Sequence, residues 1–196
     1  MICFRTRVVL PSAALIVFGL VACQSTAPVP KGRGVDQHGL AKLVEKSPVD
    51  VAVAPIHNVA GKDVPVRDLR ACFHKGLVTR RYSPLALEYV DRNVADAGYT
   101  PGASKEQAVL QIDIERWDTS LWKTNNAITV RMQVRMLDAA SGEELWSGRI
   151  DQRYDFGSTL DALPTETARI HYACDTIASE MLAALPARTP QGPGAP

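Results

Sequence analysis

Four cysteines and four histidines are the side chains in this sequence best suited to chemistry. They are Cys3, Cys23, Cys72 and Cys174, with His38, His57, His74 and His171. The histidines are scattered, and none belongs to a His-Glu-x-x-His zinc motif. The sequence has no Gly-x-Ser-x-Gly motif, phosphate-binding glycine loop or Cys-x-x-Cys pair. We therefore expect no enzyme and no cofactor, with a hydrolase built from dispersed carboxylates as the remaining enzymatic alternative.

A zinc site can be formulated only from Cys72, His74, His171 and Cys174. His171 and Cys174 are three residues apart and could share one face of a helix. Cys72 and His74 are two residues apart, so they would point in different directions on a helix. This spacing argues against zinc, and we predict no metal site.

The residues at 20–23, Leu-Val-Ala-Cys, follow two positive residues, Arg5 and Arg7, and an apolar run over 8–19. Because spanning a bilayer takes roughly 20 apolar residues, a run of this length suits a signal peptide. The 20–23 segment resembles the lipobox of bacterial lipoproteins. The resemblance implies removal of residues 1–22 and lipidation of Cys23 with a thioether-linked diacylglycerol and an N-acyl chain. An uncleaved membrane anchor and an ordinary secretory leader are the alternatives.

The lipoprotein resemblance implies a location in the bacterial envelope. The mature chain would be held at a membrane through the lipid on Cys23 and would face the periplasm. Gln24 stands where an Asp retains enteric lipoproteins at the inner membrane, which favours the outer membrane. Loss of Arg5 and Arg7 with the leader leaves 20 basic and 21 acidic residues. That balance gives no electrostatic case for binding nucleic acid or an anionic membrane surface.

Composition divides the mature chain into three parts. Residues 23–48 are rich in proline, glycine and polar residues, which predicts a lipid anchor and a flexible tether. Residues 49–185 are long enough for a single globular domain. Residues 186–196 contain four prolines and two glycines and are expected to be disordered. Within the tether, the spacing of Leu40, Leu43 and Val44 allows one helical turn.

Alternation of apolar and polar residues predicts three long strands, at 108–117, 128–136 and 145–154. Their short connections predict an antiparallel meander. Helical spacing predicts a long helix over 165–185 and another over 66–75, capped by Gly76. The remaining elements are shorter, and we predict strands at 50–56 and 78–83 and a helix or turn at 91–97.

The phrase Asp-Ala-Ala-Ser-Gly-Glu-Glu-Leu-Trp-Ser, at 138–147, lies between the last two predicted strands. With the order of elements, it resembles the amino-terminal domain of TolB and curli-secretion-type lipoproteins over about residues 50–185. The resemblance implies an α/β two-layer sandwich. Its mixed sheet would end in the three-stranded antiparallel meander, with two main helices on one face. It also implies assembly or binding rather than chemistry, although the sequence lacks the TolB β-propeller and a pore-building insertion.

In the fold that this resemblance implies, the helices carrying Cys72 and Cys174 cover the same face of the sheet. Cys3 would leave with the leader and Cys23 would carry lipid, so only these two thiols remain. The oxidising periplasm permits a disulfide between them. Two buried free thiols are the alternative.

Aromatic and basic residues of the meander are the candidates for partner binding. Trp122 lies at the first turn, where an exposed aromatic side chain can anchor a partner. Trp117 and Trp146 are expected in the core. Arg131 and Arg135 would lie on the wet face of the sheet, where cross-strand ion pairs or a docking surface would explain them.

These expectations favour a lipid-anchored, non-enzymatic accessory or structural subunit of an envelope assembly or transport system. Its partners would be the membrane, through Cys23, and an envelope protein. The alternative is a small-ligand or lipid-binding lipoprotein with a cleft between the helices and the sheet, lined by Ile and Met side chains.

Overall fold

The computed structural model describes residues 34–61, 63–94, 102 and 105–189. The predicted signal peptide at 1–22 and the predicted lipid on Cys23 lie outside these residues. The described strands are β1 (Asp36–His38), β2 (Asp50–Val53), β3 (His57–Asn58), β4 (Ser83–Pro84), β5 (Ala108–Asp118), β6 (Ala127–Asp138) and β7 (Glu144–Asp155). The described helices are α1 (Leu40–Lys46), α2 (Val66–Thr79), α3 (Leu87–Val94), α4 (Trp122–Asn125), α5 (Ser158–Asp161) and α6 (Glu166–Ala183).

One mixed sheet joins the described strands in the order β1-β7-β6-β5-β2-β4, and β3 pairs with β5 further along that strand. Strands β5, β6 and β7 pair antiparallel, which confirms the predicted meander. Strand β2 pairs in parallel with β4 and β5. Parallel neighbours need a crossover connection, and α2 lies in the segment that leads from β2 to β4.

The turn between β6 and β7 is held by the Asp138 carboxylate. Its Oδ1 atom accepts hydrogen bonds from the backbone N–H groups of Ala140 (3.1 Å) and Ser141 (2.8 Å) and from Ser141 Oγ (2.8 Å). These bonds lower the pKa of Asp138, and the bond from the Ser141 hydroxyl has the largest effect. Gly142 completes the turn at φ 71°, where the absence of a Cβ removes the steric penalty. The Asp-x-x-Ser-Gly phrase therefore serves to close the last hairpin.

Helices α2 and α6 pack together over one face of the sheet, as predicted, and a single large core lies between the two layers. Trp146, Phe73 and Ile177 are fully buried there. Gly76 lies inside α2 rather than at its cap, and a Cβ at that position would lie 2.5 Å from Leu182 Cδ1. The glycine therefore leaves room for the Leu182 side chain against α2.

The predicted strand at 78–83 is wrong. Helix α2 continues to Thr79 because Leu77 extends the apolar stripe of Leu69 and Phe73, and all three are fully buried. The chain then reverses at Arg81, whose φ is 66°, and only Ser83–Pro84 pair with the sheet. The helix or turn predicted at 91–97 is part of a helix that begins earlier, at Leu87, and whose described part ends at Val94.

Parts of the predicted tether and tail belong to the folded domain. Strand β1 pairs with β7, and α1 follows it with Leu43 buried in the core. At the other terminus, the Tyr82 hydroxyl donates a hydrogen bond of 3.1 Å to the Pro186 carbonyl. The backbone N–H of Arg188 donates to the Arg80 carbonyl at 2.9 Å. The folded unit therefore extends beyond 49–185 on both sides.

Within the described part of the chain, no helix combines the length and the apolar character that a membrane crossing requires.

Candidate functional site

The wet face of the meander carries ion pairs that cross the strands. Arg131 lies opposite Asp151 in the β6–β7 register, and Arg131 Nη2 is 2.7 Å from Asp151 Oδ2. Arg135 pairs with Asp113, and Arg149 with Glu115, each at 2.9 Å. The alternation of the strands places these side chains together, which confirms the prediction of cross-strand pairs on this face.

The charges of this face are balanced and partly accessible. The side chains of Arg131 and Arg135 are 41% and 36% exposed. Hydrogen bonding to Asp151 raises the pKa of Arg131. On the β3 side, His57 Nδ1 lies 3.1 Å from Asp113 Oδ1. The result is a surface of fixed, alternating charges, which we call the charged sheet face, that could dock onto a complementary polar surface.

Trp122 is not exposed, and that prediction is wrong. Only 9% of its surface is accessible. Its indole N–H donates a hydrogen bond of 2.6 Å to Glu166 Oε1 at the start of α6. Trp122 therefore belongs to the core side of the sheet, whereas Arg131 and Arg135 are on the wet side. The structure does not bring these three predicted partner-binding residues together.

A polar network fixes the position of Trp122. The guanidinium carbon of Arg169 lies 5.5 Å from the centre of the Trp122 ring, and Arg169 Nη1 is 3.2 Å from Glu166 Oε2. Arg169 Nη2 also donates to Asn126 Oδ1 at 2.6 Å. Phe156 meets the Trp122 ring edge-on, with 6.1 Å between ring centres. The indole is therefore held on several sides before any ligand arrives.

An open cleft of about 260 Å³ lies beside this network, and we call it the tryptophan cleft. It is formed by the end of β5, the start of β6 and the first turns of α6. Its lining residues are Asp63, Pro65, Trp117, Thr119, Trp122, Ile128, Glu166, Ile170 and Ala173. A cleft between helices and sheet was the feature expected of a ligand-binding protein. Two isoleucines line it as anticipated, but indole rings and carboxylates take the place of the expected methionines.

Trp117 reaches the core side through an irregularity in β5. Leu110, Ile112 and Ile114 alternate with polar residues, and the pairing register then shifts between Ile114 and Arg116. This bulge turns Trp117 inward, which confirms its predicted core position. The predicted core position of Trp146 is also confirmed, because its side chain is fully buried. The three-residue spacing from Ile114 to Trp117 is the one sequence signal that could have indicated the cleft. Nothing in the sequence connects Glu166 or Asp63 to it.

Cys72 and Cys174 lie on the packed helices α2 and α6 as buried free thiols. Burial raises the pKa of Cys72 to about 11 and that of Cys174 to about 12. Cys72 also contributes, after burial, to the raised pKa of Cys174. The disulfide between them remains a prediction.

Metal ligands do not cluster in the described residues, where no group of three or more His, Cys, Asp or Glu side chains could hold an ion. Of the residues considered for zinc, the His74 Nε2 atom lies 3.1 Å from the Leu85 carbonyl oxygen.

The fold is similar to that of several solved structures. The chain is similar to a single-substitution variant of the PelC dodecamer from Paraburkholderia phytofirmans. The two chains are 15% identical with a TM-score of 0.52, and the match covers 79% of this chain and 98% of that one. A second PelC dodecamer structure from that organism has 14% identity and a TM-score of 0.51 over the same shares. Lipoprotein GNA1162 from Neisseria meningitidis is 19% identical, with a TM-score of 0.47, over 66% of this chain and 96% of that one.

The similarity to the two PelC structures defines the class of fold, a mixed α/β sheet domain. One of the three structures, GNA1162, is described as a lipoprotein. No protein-family model and no curated protein matches the sequence.

Proposed function

We propose that this protein is a lipid-anchored, non-enzymatic accessory subunit of an envelope assembly or transport system. The lipid on Cys23 would fix its location, with the outer membrane favoured. The segment between Cys23 and Gly34 would let the folded domain extend away from the membrane. Confinement at the membrane raises the effective concentration of the domain, so a weak docking contact can suffice.

The observation that carries this proposal is the charged sheet face. Three cross-strand ion pairs hold its arginines in defined positions, yet Arg131 and Arg135 keep more than a third of their side-chain surface exposed. Alternating charges favour a partner of complementary pattern and disfavour a mismatched one. The PelC structures are dodecamers, so a second copy of this chain is one partner that we include in the proposal.

Charge reversal tests the docking surface. We expect an Arg131→Glu, Arg135→Glu variant to lose cross-linked partners, or self-association in light scattering, while it keeps a native circular dichroism spectrum. Arg67→Glu is the matched control, because Arg67 is an exposed arginine on α2, in the helical layer. Unchanged association of the double variant would remove the charged sheet face from the proposal.

The tryptophan cleft supports a second candidate function, the binding of a small molecule. Its apolar walls and few polar groups match the usual composition of a ligand site, although its volume is at the small end. Ligand binding that leaves partner docking unchanged would favour this second function.

A further inference from the structure

The walls of the tryptophan cleft are mainly apolar. Two indole rings, Ile128, Ile170, Pro65 and Ala173 line a volume of about 260 Å³. Since one water takes about 30 Å³ of liquid, the cleft holds about nine waters. A ligand that replaces them would have an apolar body the size of one ring with a short side chain.

The titratable side chains that line the cleft, Asp63 and Glu166, are both acidic. Glu166 forms an ion pair with Arg169, with 3.2 Å between Glu166 Oε2 and Arg169 Nη1. Over 34–61, 63–94 and 105–189, no ion pair is found for the exposed Asp63 side chain. The charge left to meet a ligand is therefore negative, which favours a cation and disfavours an anion.

The indole rings reinforce this preference. Tryptophan has the aromatic face that attracts cations most strongly. The Arg169 guanidinium, 5.5 Å from the ring centre, already occupies one face of Trp122. Trp117 supplies a second indole to the cleft. The hydrogen bond to Glu166 and the packing of Phe156 fix the Trp122 wall in advance, which reduces the entropy lost on binding.

We propose that the tryptophan cleft binds a small organic cation, an amine with an apolar or aromatic body. The body would displace water from between the indole rings and the isoleucines. The ammonium group would point towards Asp63 at the rim. This inference rests on the second candidate function, that the cleft is a ligand site, and adds the chemical class of the ligand.

Three probes with one common body test the proposal: phenethylamine, 2-phenylethanol and phenylacetate. They differ in charge, being a cation, a neutral alcohol and an anion at pH 7. The three indole N–H resonances of the protein report binding in ¹H–¹⁵N spectra. We expect saturable shifts of the Trp117 and Trp122 signals with the amine, weaker shifts with the alcohol and none with the acid. The fully buried Trp146 is an internal control.

Substitution of Asp63 tests the role of charge without disturbing the core. We expect Asp63→Asn to weaken amine binding about threefold to fivefold, as for an exposed ion pair, and Asp63→Lys to weaken it further. Asp68→Asn, an exposed acid on α2 outside the cleft, should leave the affinity unchanged. Equal binding of all three probes would keep a ligand site but overturn the charge selection. Absence of binding by all three would overturn the site itself.

Discussion

Trp122 and Glu166 are joined by a hydrogen bond of 2.6 Å from the indole N–H to Oε1. The bond connects the first residue of α4 to the first residue of α6, across 44 residues of sequence. The other carboxylate oxygen of Glu166 binds Arg169, which in turn lies over the Trp122 ring. One carboxylate therefore positions both the aromatic wall of the cleft and the cation beside it.

Replacement of this carboxylate is expected to destabilise the fold. Glu166→Ala leaves the indole N–H of a buried tryptophan unpaired, which costs about 1–2 kcal/mol in the free energy of unfolding. Urea denaturation followed by tryptophan fluorescence measures the change. Glu166→Gln keeps an acceptor and should recover much of the loss. Equal midpoints for Glu166→Ala and the parent protein would show that the bond contributes nothing.

The turn carboxylate and a carboxylate of the charged sheet face should differ in their contribution to stability. Asp138 is 13% exposed and accepts three hydrogen bonds, so Asp138→Ala is expected to cost about 1–2 kcal/mol. Asp151 forms an exposed ion pair, and Asp151→Ala is expected to change the melting temperature little. Calorimetry of both variants compares them. A larger loss for Asp151→Ala would mean that the charged sheet face stabilises the fold more than the turn does.

The buried thiols predict how stability depends on pH under reducing conditions. The ordinary pKa of a thiol is 9.0, and burial raises the pKa values of Cys72 and Cys174 to about 11 and about 12. Below pH 9 the two thiols keep their protons in both the folded and the unfolded state, so their contribution to the free energy of unfolding is fully present there. Between pH 9 and 11 the unfolded chain has lost protons that the folded chain keeps. The free energy of unfolding should therefore fall as pH rises, by at most about 1.4 kcal/mol per pH unit for each thiol.

The Cys72→Ala, Cys174→Ala variant is the control for this titration, because it removes both groups and leaves the other ionisable side chains in place. Its stability should fall less steeply over the same range of pH. Parallel curves for the two proteins would assign the slope to other groups.

In the oxidising envelope location that we propose, the same two thiols are predicted to form a disulfide. The bond would close a loop of about 100 residues, which the chain-entropy model values at up to ~4.7 kcal/mol. Protein isolated without reductant should migrate differently on non-reducing and reducing gels. Labelling of both thiols by maleimide, after unfolding without reductant, would rule the bond out.

The long elements could be predicted because each carries its own periodic signal. Strand β6 alternates along almost all of its 12 residues, β5 and β7 alternate over part of their length, and α6 keeps one apolar stripe over 18 residues. The segment at 78–83 was predicted wrongly because Gly76 suggests a helix end, although Leu77 continues the four-residue spacing of Leu69 and Phe73 beyond it. Tertiary contacts here decide what propensity leaves open.

The site was harder to predict than the fold for a similar reason. The wet position of Arg131 and Arg135 follows from alternation within one strand. The burial of Trp122 depends on Glu166 and Arg169, which lie more than 40 residues away and come from another element. No local pattern connects a tryptophan at the start of α4 to the first turn of a distant helix.

Cys23 provides a genetic test of the anchor. Cys23→Ser removes the acceptor of the lipid and should move the protein from the membrane fraction to the soluble fraction after cell lysis. The Cys72→Ala variant is a matched cysteine control and should stay with the membrane. Continued need for detergent to extract Cys23→Ser would contradict lipid anchoring at this residue.

Mass spectrometry of the intact protein, extracted from membranes with detergent, tests the account most directly. It should show a chain that begins at Cys23, heavier than residues 23–196 by the mass of a diacylglycerol group and an N-acyl chain. An unmodified amino terminus, with the leader retained or cleaved elsewhere, would contradict the proposed anchoring and the accessory role that depends on it.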